Sequence, residues 1–192
     1  MSPQSATDDT AASLRLARGG NATAFADLVR MNQASVYSIG YRMLGRRDAA
    51  EDLAQEVFLQ LYRKLASIES LEHLGFWLRR VAANLAIDWL RRATYSATQP
   101  LDAAAEPADP RAEGDPLMTR ALARLLGELA PAARAVMVLR YQEDRDVAEI
   151  AAALDMPVNT VKSHIKRSLT ALRGKMIGAQ LVTAEGLSEE SP

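Results

Sequence analysis

The feature that most constrains the fold is a proline-rich, acidic stretch near the middle of the chain, at residues 95 to 116. Four of the eight prolines in the 192 residues fall there, together with five acidic residues against a single arginine. Proline interrupts helices and central strands, and a segment with few apolar residues and one dominant charge cannot build a core. The stretch therefore predicts a flexible acidic linker that divides the chain into two parts.

Both flanking parts show the apolar spacing of amphipathic helices. Leu53, Val57 and Leu61 recur at intervals of four before the linker, and Pro131 opens a helical stretch through Tyr141 after it. Aromatic residues make up only 5% of the chain, while alanine and leucine are plentiful. We predict an all-α fold with a disordered N-terminus (1–10), a helical domain (11–94), the linker (95–116), a second helical domain (117–177) and a polar tail (178–192).

Composition excludes several kinds of chemistry. The chain has no cysteine, so neither a disulfide nor a thiolate zinc site can form. It has two histidines, no glycine-rich phosphate loop and no carboxylate pair at metal-ligand spacing, so we predict no catalytic residue, metal or cofactor. The polar start and the lack of any run near 18 apolar residues predict a cytoplasmic protein without membrane insertion.

The strongest local pattern is a helix-turn-helix in DVAEIAAALDMPVNTVKSHIKRSLTALR, at residues 146 to 173. A short helix with Ile150 and Leu154 facing inward precedes a break at Asp155-Met156-Pro157. In the next helix Val161, Ile165, Leu169 and Leu172 share one face. The residues predicted to point outward and to contact DNA are Asn159, Thr160, Lys162, Ser163, Lys166 and Arg167.

Charge supports DNA binding by this second helix. Residues 155 to 175 carry five cationic side chains against Asp155 alone, a local charge of +4 that the whole-chain total of -1 conceals. Lysine, arginine, asparagine and serine can contact base edges or phosphates in the major groove. A solvated cationic face on a structural hairpin is the alternative. Asp155 stands where glycine is commonest, so it must adopt a left-handed conformation or shift the turn.

The first domain contains two helices with possible binding faces. The helix from Asp48 to about Lys64 begins with acidic residues that suit its dipole. The helix from about Leu74 to Arg92 carries four arginines against Asp88, and Trp77 and Trp89 add flat aromatic surfaces. Basic charge with aromatic rings is typical of single-stranded DNA binding. The alternative is that the tryptophans anchor the core, which we expect for at least one of them.

Two blocks of the chain resemble a known family in the same order. YRMLGRRDAAEDLAQEVFLQLYRKL followed by FWLRRVAANLAIDWLRR is similar to the polymerase-binding and minus-10-binding helices of extracytoplasmic-function (ECF) sigma factors, in the sigma-70 family. PAARAVMVLRY followed by EIAAALDMPVNTVKSHIKRSLTALR is similar to their minus-35-binding domain. The resemblance covers roughly residues 20 to 175. It departs from the family at EDRDVAEI, which replaces a more usual turn containing glycine and serine.

The resemblance implies an alternative sigma factor that binds core RNA polymerase and recognises minus-35 and minus-10 elements of promoter DNA. It implies docking on the clamp helices of the largest polymerase subunit through Asp52, Gln55, Glu56 and Phe58. It implies capture of a flipped minus-10 base by the loop from Ile68 to Leu74 and by the helix that follows. The residues concerned are Ile68, Leu74, Arg80, Asn84, Arg91 and Arg92. Contact with the flap of the second-largest subunit and with an anti-sigma factor is also implied.

Two other functions stay open when only the residues are considered. One is a helix-turn-helix regulator whose N-terminal bundle dimerises or senses a ligand, and which binds duplex DNA without polymerase. The other is a helical adaptor whose basic face is merely solvated, which would show no salt-dependent affinity for DNA. The polymerase requirement for promoter binding separates the sigma factor from the first of these.

Overall fold

The computed structural model describes residues 3–96 and 116–178, which fall into two compact helical units. The N-terminal unit comprises α1 (Pro3–Arg18), α2 (Ala22–Leu44), α3 (Arg47–Lys64), a single 3-10 turn (Leu65–Ser67) and α4 (Leu71–Ser96). The C-terminal unit comprises α5 (Pro116–Gly127), α6 (Pro131–Tyr141), α7 (Val147–Leu154) and α8 (Val158–Gly178). These two ranges contain no strand, and the predicted all-α fold is confirmed.

The predicted linker (95–116) and polar tail (178–192) lie outside the described residues, apart from their outermost positions. Within the described ranges, no helix combines the length and the apolar character needed to cross a membrane.

The N-terminal unit differs from the sequence prediction at its start. α1 begins at Pro3, inside the segment 1–10 that the sequence predicts to be disordered. Proline suits the first turn of a helix, and no glycine or further proline interrupts the chain before Gly19. Further along α1, Leu14 and Ala17 are buried where the helix packs against α2. This packing stabilises α1, although its polar sequence gives little local indication of a helix.

α2 is one continuous helix of 23 residues. The Asn21 side chain caps its start by accepting a hydrogen bond from the Ala24 N–H, 2.9 Å away. Its end is set by Gly45, which has a left-handed φ of 74° and donates its N–H to the Tyr41 carbonyl at 2.8 Å. Between these caps α2 buries one face along its whole length, which keeps it continuous.

The core of the N-terminal unit lies between α2, α3 and α4. Its fully buried side chains include Leu28, Val36, Ile39, Met43, Leu53, Val57 and Leu61. α2 approaches α3 closely at Gly40, where an added Cβ would lie 3.3 Å from Ala50 Cα and 3.3 Å from Leu53 Cδ2. Because the backbone of α3 leaves so little room, glycine at this crossing sets how α3 is seated.

The C-terminal unit is built around α6, in which every residue from Ala133 to Leu139 is buried. Arg134 is only 8% exposed, and its guanidinium donates hydrogen bonds to the carbonyl oxygens of Gly127 and Leu129. Gly127 is the last residue of α5 and Leu129 lies in the turn that follows, so neither oxygen has a partner within that helix. Burial lowers the pKa of Arg134 from its ordinary value, and the hydrogen bonds offset part of this desolvation.

The helix-turn-helix forms as the sequence predicts. Asp146 and Glu149 make a reciprocal capping box at the start of α7: Asp146 Oδ1 accepts the Glu149 N–H at 2.7 Å, and Glu149 Oε2 accepts the Asp146 N–H at 2.9 Å. α7 ends at Leu154, and the next residue, Asp155, caps it in the left-handed conformation with φ 52° and ψ 51°. In α8, Val161 and Leu172 are buried and Ile165 and Leu169 are half-buried, so all four residues of the predicted inward face are turned away from solvent. Ser168 is also buried there, at 3% exposure.

Candidate nucleic-acid and protein interfaces

One face of α4 gathers side chains suited to unpaired DNA. We call this stripe the α4 face. It is formed by residues spaced three, four or seven positions apart along the helix: His73, Trp77, Arg80, Asn84 and Arg91. Arg80 and Arg91 are exposed, and the other three are half-buried. The stripe therefore combines two cations, a stacking ring and an amide that both donates and accepts, and it also contains the exposed carboxylate of Asp88 between Asn84 and Arg91. Arg92 is exposed as well but points to one side of the stripe.

The two tryptophans take different positions around α4. Trp77 belongs to the outer stripe, while Trp89 lies three residues after the buried Ala86 and seven after the buried Ala82. Both are half-buried. Trp89 thus leans toward the core, as expected for at least one tryptophan, and Trp77 keeps part of its ring available on the α4 face.

The loop before α4 corrects two of the predicted DNA contacts. Ile68 and Leu74 are 0% and 2% exposed, so their side chains lie in the core instead of facing DNA. Ile68 anchors the start of the loop and Leu74 anchors the first turn of α4, because each apolar side chain is more stable buried than in water. The surface of the loop is formed by the residues between them, of which Glu69, Ser70 and Glu72 are exposed.

His73 helps to shape this loop, a role that the sequence analysis missed. The Ser70 hydroxyl caps α4 by accepting the His73 N–H at 3.1 Å. In return, His73 Nδ1 accepts the Glu69 N–H at 3.3 Å. The pattern resembles a capping box with histidine in the place of the usual glutamate, except that the imidazole accepts from Glu69, one residue before the capping Ser70. The serine three residues before His73 was the signal that could have indicated it.

The outward side of α3 carries the residues predicted to dock on polymerase. Asp52 and Gln55 are exposed, whereas Glu56 and Phe58 are half-buried. Glu56 accepts a hydrogen bond from Gln60 Nε2 at 2.9 Å, which leaves its carboxylate partly engaged. Asp52, Gln55 and Glu56 therefore share one accessible side of α3, with Asp52 and Gln55 most open to a partner, whereas Phe58, two residues after Glu56, lies at the opposite edge of the accessible surface.

Two apolar residues extend the same side of α3. Leu59 and Tyr62 are 45% and 66% exposed, and they continue the three-four spacing from Asp52 and Gln55. The Tyr62 ring meets the Phe25 ring edge-on, with 5.2 Å between centroids. We call the set Asp52, Gln55, Glu56, Phe58, Leu59 and Tyr62 the α3 face. Its last two members fall outside the buried stripe of the helix, which is the sequence signal that could have found them.

Electrostatics at the start of α3 favour an ionised acidic end. Asp48 pairs with Arg46, and this hydrogen bond lowers the pKa of Asp48 from its ordinary value, helped by the Ala49 N–H. The carboxylate also lies in the first turn of α3, where the helix dipole favours negative charge.

The predicted DNA face of α8 is open to solvent. Asn159, Lys162, Ser163, Lys166 and Arg167 are exposed, and Thr160 is half-buried. Two further exposed residues, Thr170 and Arg173, continue the spacing from Lys166 beyond the residues predicted from the sequence. We call these eight residues, of which Thr160 is half-buried and the others are exposed, the α8 face. Its direction is fixed because the opposite side of α8 packs against α6 and α7.

The cations of α8 differ in their partners. Lys175 makes an ion pair with Glu128, and this contact lowers the pKa of Glu128 from its ordinary value. Among the described residues, Lys162, Lys166 and Arg173 have no ion pair, and Arg167 Nε bonds to the Ser163 carbonyl at 3.2 Å. The α8 face therefore presents four cations whose charge no neighbouring carboxylate in the described residues neutralises.

Comparison with known proteins matches both units to one family. The model of "Sigma-70 region 2" matches residues 28–95, which include the α3 and α4 faces. The model of "Sigma-70, region 4" matches residues 119–172, which include most of the α8 face. The order of the two matches along the chain is the order that the sequence resemblance indicates.

Individual relatives agree with the family models. The chain is 32% identical over 176 residues to the ECF RNA polymerase sigma factor SigW of Bacillus subtilis, covering 85% of this chain and 94% of that protein. It is 31% identical to the RNA polymerase sigma-E factor of Streptomyces coelicolor, covering 84% and 91%. Among solved structures, the sigma factor RpoE from Bartonella quintana, in complex with the anti-sigma factor NepR, has a TM-score of 0.65 at 19% identity. That match covers 78% of this chain and 94% of RpoE, and it shows likeness of fold.

Proposed function

As a member of the sigma-70 family and its ECF subfamily, the chain is an alternative sigma factor that directs promoter-specific transcription, and we propose that it does so through the α3, α4 and α8 faces. ECF sigma factors bind core RNA polymerase and promoter DNA. The single observation that carries the assignment of faces is the α4 stripe, which places cations, a ring and an amide on one accessible side of a helix.

The α3 face is proposed to dock on the clamp helices of the largest polymerase subunit. Its polar end, at Asp52 and Gln55, suits a basic partner, and its apolar end, at Leu59 and Tyr62, gains free energy when a partner covers it. Exposed tyrosine and leucine side by side are costly to leave in water, and such patches commonly mark protein interfaces. The C-terminal unit is proposed to contact the flap of the second-largest subunit.

The α4 face is proposed to hold the unpaired non-template strand at the minus-10 element. Asn84 presents a donor and an acceptor to a flipped base, and Trp77 offers a surface on which a base can stack, worth about 1–3 kcal/mol. Arg80 and Arg91 would contact phosphates. Together these contacts offset the few kcal/mol that unstacking a base step costs, so the melted promoter becomes the favoured state.

The loop before α4 is proposed to form the rim of the base pocket with its exposed middle. Since Ile68 and Leu74 anchor its ends in the core, the captured base would contact the backbone and side chains from Glu69 to His73. The Ser70–His73 cap keeps this short segment in one conformation before DNA arrives. Pre-organisation of this kind lowers the entropy lost on binding.

The α8 face is proposed to lie in the major groove of the minus-35 element. Its N-terminal residues, Asn159 and Ser163, would contact base edges, and Lys162, Lys166 and Arg167 would contact phosphates or guanine acceptors. The capping box at Asp146 and the left-handed Asp155 fix α7 against α8, so the recognition helix enters the groove at a defined angle.

The chain contributes binding energy and no chemical step, because phosphoryl transfer belongs to the polymerase. Such a protein works in the cytoplasm, where core polymerase and promoter DNA are found. An anti-sigma factor is proposed as a further partner. The solved complex of RpoE with NepR supports this, since RpoE shares the fold. Covering the α3 or α8 face would suffice to block function.

Transcription in vitro tests the proposal. Core polymerase plus this chain should start transcripts at specific promoters in genomic DNA, and Asn84→Ala should reduce initiation about ten-fold, which corresponds to about 1.4 kcal/mol. A template already unpaired at the minus-10 element should restore much of the loss, since opening the duplex is no longer needed. Asp88→Ala is the matched control: Asp88 is exposed on the same helix, but its removal deletes a negative charge and should not impair initiation.

Two outcomes would overturn the proposal. One is the absence of any promoter-specific transcript from genomic DNA. The other is tight binding of the chain to duplex promoter without polymerase, which would favour a helix-turn-helix regulator.

A further inference from the structure

A small basic notch lies where α1 ends beside the 3-10 turn. It is lined by Arg15, Arg18, Gly19 and Ala66. The Arg18 guanidinium donates a hydrogen bond to the Ala66 carbonyl at 3.3 Å, which ties the end of α1 to the turn. All four lining residues are exposed, so the notch is open to a partner in solution.

Two cations converge here without a nearby counter-charge. Within the described ranges, neither Arg15 nor Arg18 forms an ion pair with a carboxylate. Cations in the last turn of a helix are favoured by its dipole, which explains why arginines occur at this end of α1. The dipole does not explain why both arginines border one notch against a different segment of the chain.

The chemistry of the notch suits a phosphate group. Guanidinium groups present paired N–H donors that match two phosphate oxygens. The backbone N–H groups of Gly19 and Gly20 already donate to the carbonyls of Arg15 and Ala17, at 3.2 and 2.9 Å. The two arginine side chains are therefore the donors left for an anion.

The position of the notch links it to the loop that precedes α4. Ala66 is the middle residue of the 3-10 turn, and Ile68, where the loop begins, follows that turn directly. A strand with one base in the loop must carry its neighbouring phosphates past the loop's ends. We propose that Arg15 and Arg18 bind a backbone phosphate of the unpaired non-template strand, next to the captured base; this rests on the proposed function of the loop.

Binding of holoenzyme to a promoter that is already unpaired at the minus-10 element tests this assignment. Each phosphate contact with single-stranded DNA contributes about 0.7 to the slope of log affinity against log salt. Arg15→Ala with Arg18→Ala should lower the slope by about 0.7, giving about five-fold weaker binding at 0.1 M salt that recovers near 1 M. Arg15→Ala alone should act in the same direction while leaving the Arg18–Ala66 bond intact. Arg15→Lys with Arg18→Lys should keep most of the slope.

Arg30→Ala provides the matched control, because Arg30 is an exposed arginine of the same unit that pairs with Asp27. It should leave the slope near that of the unaltered chain. A series of DNA strands, each with one neutral methylphosphonate, then locates the phosphate. At one position beside the captured base, the neutral group should weaken DNA binding by the unaltered holoenzyme and leave binding by the double arginine variant unchanged.

Several results would overturn the inference. The first is a salt slope for the double arginine variant equal to that of Arg30→Ala. The second is that the losses of affinity caused by the double variant and by a methylphosphonate add at every position of the strand. The third is weaker assembly of the double variant with core polymerase in the absence of DNA. The last result would mean that the notch binds an acidic group of polymerase. If the unaltered holoenzyme fails to bind the unpaired promoter at all, the proposed function of the loop fails, and this inference falls with it.

Discussion

Replacing Lys166 with alanine should weaken promoter binding most at low salt. The affinity of the variant should therefore depend less on salt concentration than that of the unaltered chain. The α8 face has four cations that no carboxylate in the described residues neutralises, among them Lys166. If each neutralises one phosphate of duplex DNA, they contribute about 3.6 to the slope of log affinity against log salt, and Lys166→Ala removes about 0.9. Between 50 and 200 mM salt the defect of the variant should then shrink about three- to four-fold.

The measurement is fluorescence anisotropy of holoenzyme on a labelled promoter duplex, at several salt concentrations. Lys175→Ala is the control on the same helix, since it removes the same charge from a residue already paired with Glu128. Its slope should change much less. The reasoning is refuted if Lys175→Ala lowers the slope as much as Lys166→Ala does, because a general field would then explain the effect. It is also refuted if Lys166→Ala weakens binding equally at all salt concentrations.

Three further substitutions test the scaffold behind the faces, each in the full chain. Gly40→Ala should destabilise the N-terminal unit by about 1 kcal/mol net, because crowding of the new Cβ at 3.3 Å from Ala50 Cα costs about 2 kcal/mol and exceeds the helix propensity gained, about 1 kcal/mol; denaturation followed through tryptophan fluorescence measures it, and stabilisation would contradict it. Arg134→Met should lower the free energy of unfolding of the C-terminal unit by about 2 kcal/mol, because it leaves the carbonyl oxygens of Gly127 and Leu129 unpaired. The loss should appear as faster hydrogen exchange in α5 and α6, and unchanged exchange would contradict it. His73→Ala should speed exchange of the Glu69 amide, and His73→Gln should restore protection by supplying another acceptor; equal exchange in both would exclude the cap.

Sequence patterns predicted the buried side of each long helix because helical spacing is a local property. Val161 and Leu172 in α8 are buried as their spacing requires, and the left-handed conformation of Asp155 follows from its place in the turn. The Asp146–Glu149 capping box could also have been predicted from the sequence, since a capping residue three positions before glutamate is its usual signature.

The predictions failed where packing across the chain decides the outcome. Ile68 lies in the short segment between the 3-10 turn and α4, where no helical period indicates which way its side chain points, and packing buries it in the core. Leu74 lies inside α4, four residues before the buried Leu78, so its burial could have been predicted from that spacing. The start of α1 was missed because its sequence is polar, and its stability comes from contacts with α2. Leu59 and Tyr62 extend the α3 face only because α2 and α4 cover the other side of that helix.

The central claim is that two separate surfaces of one chain contact two promoter elements within a single polymerase complex. Site-specific photocrosslinking tests it most directly, with one crosslinker in place of Asn84 and another in place of Lys166. In the holoenzyme, we expect the first to label the non-template strand at the minus-10 element and the second to label duplex DNA about two helical turns upstream, at the minus-35 element. Labelling of a single common region from both positions, or labelling of duplex DNA by the free chain alone, would contradict the account.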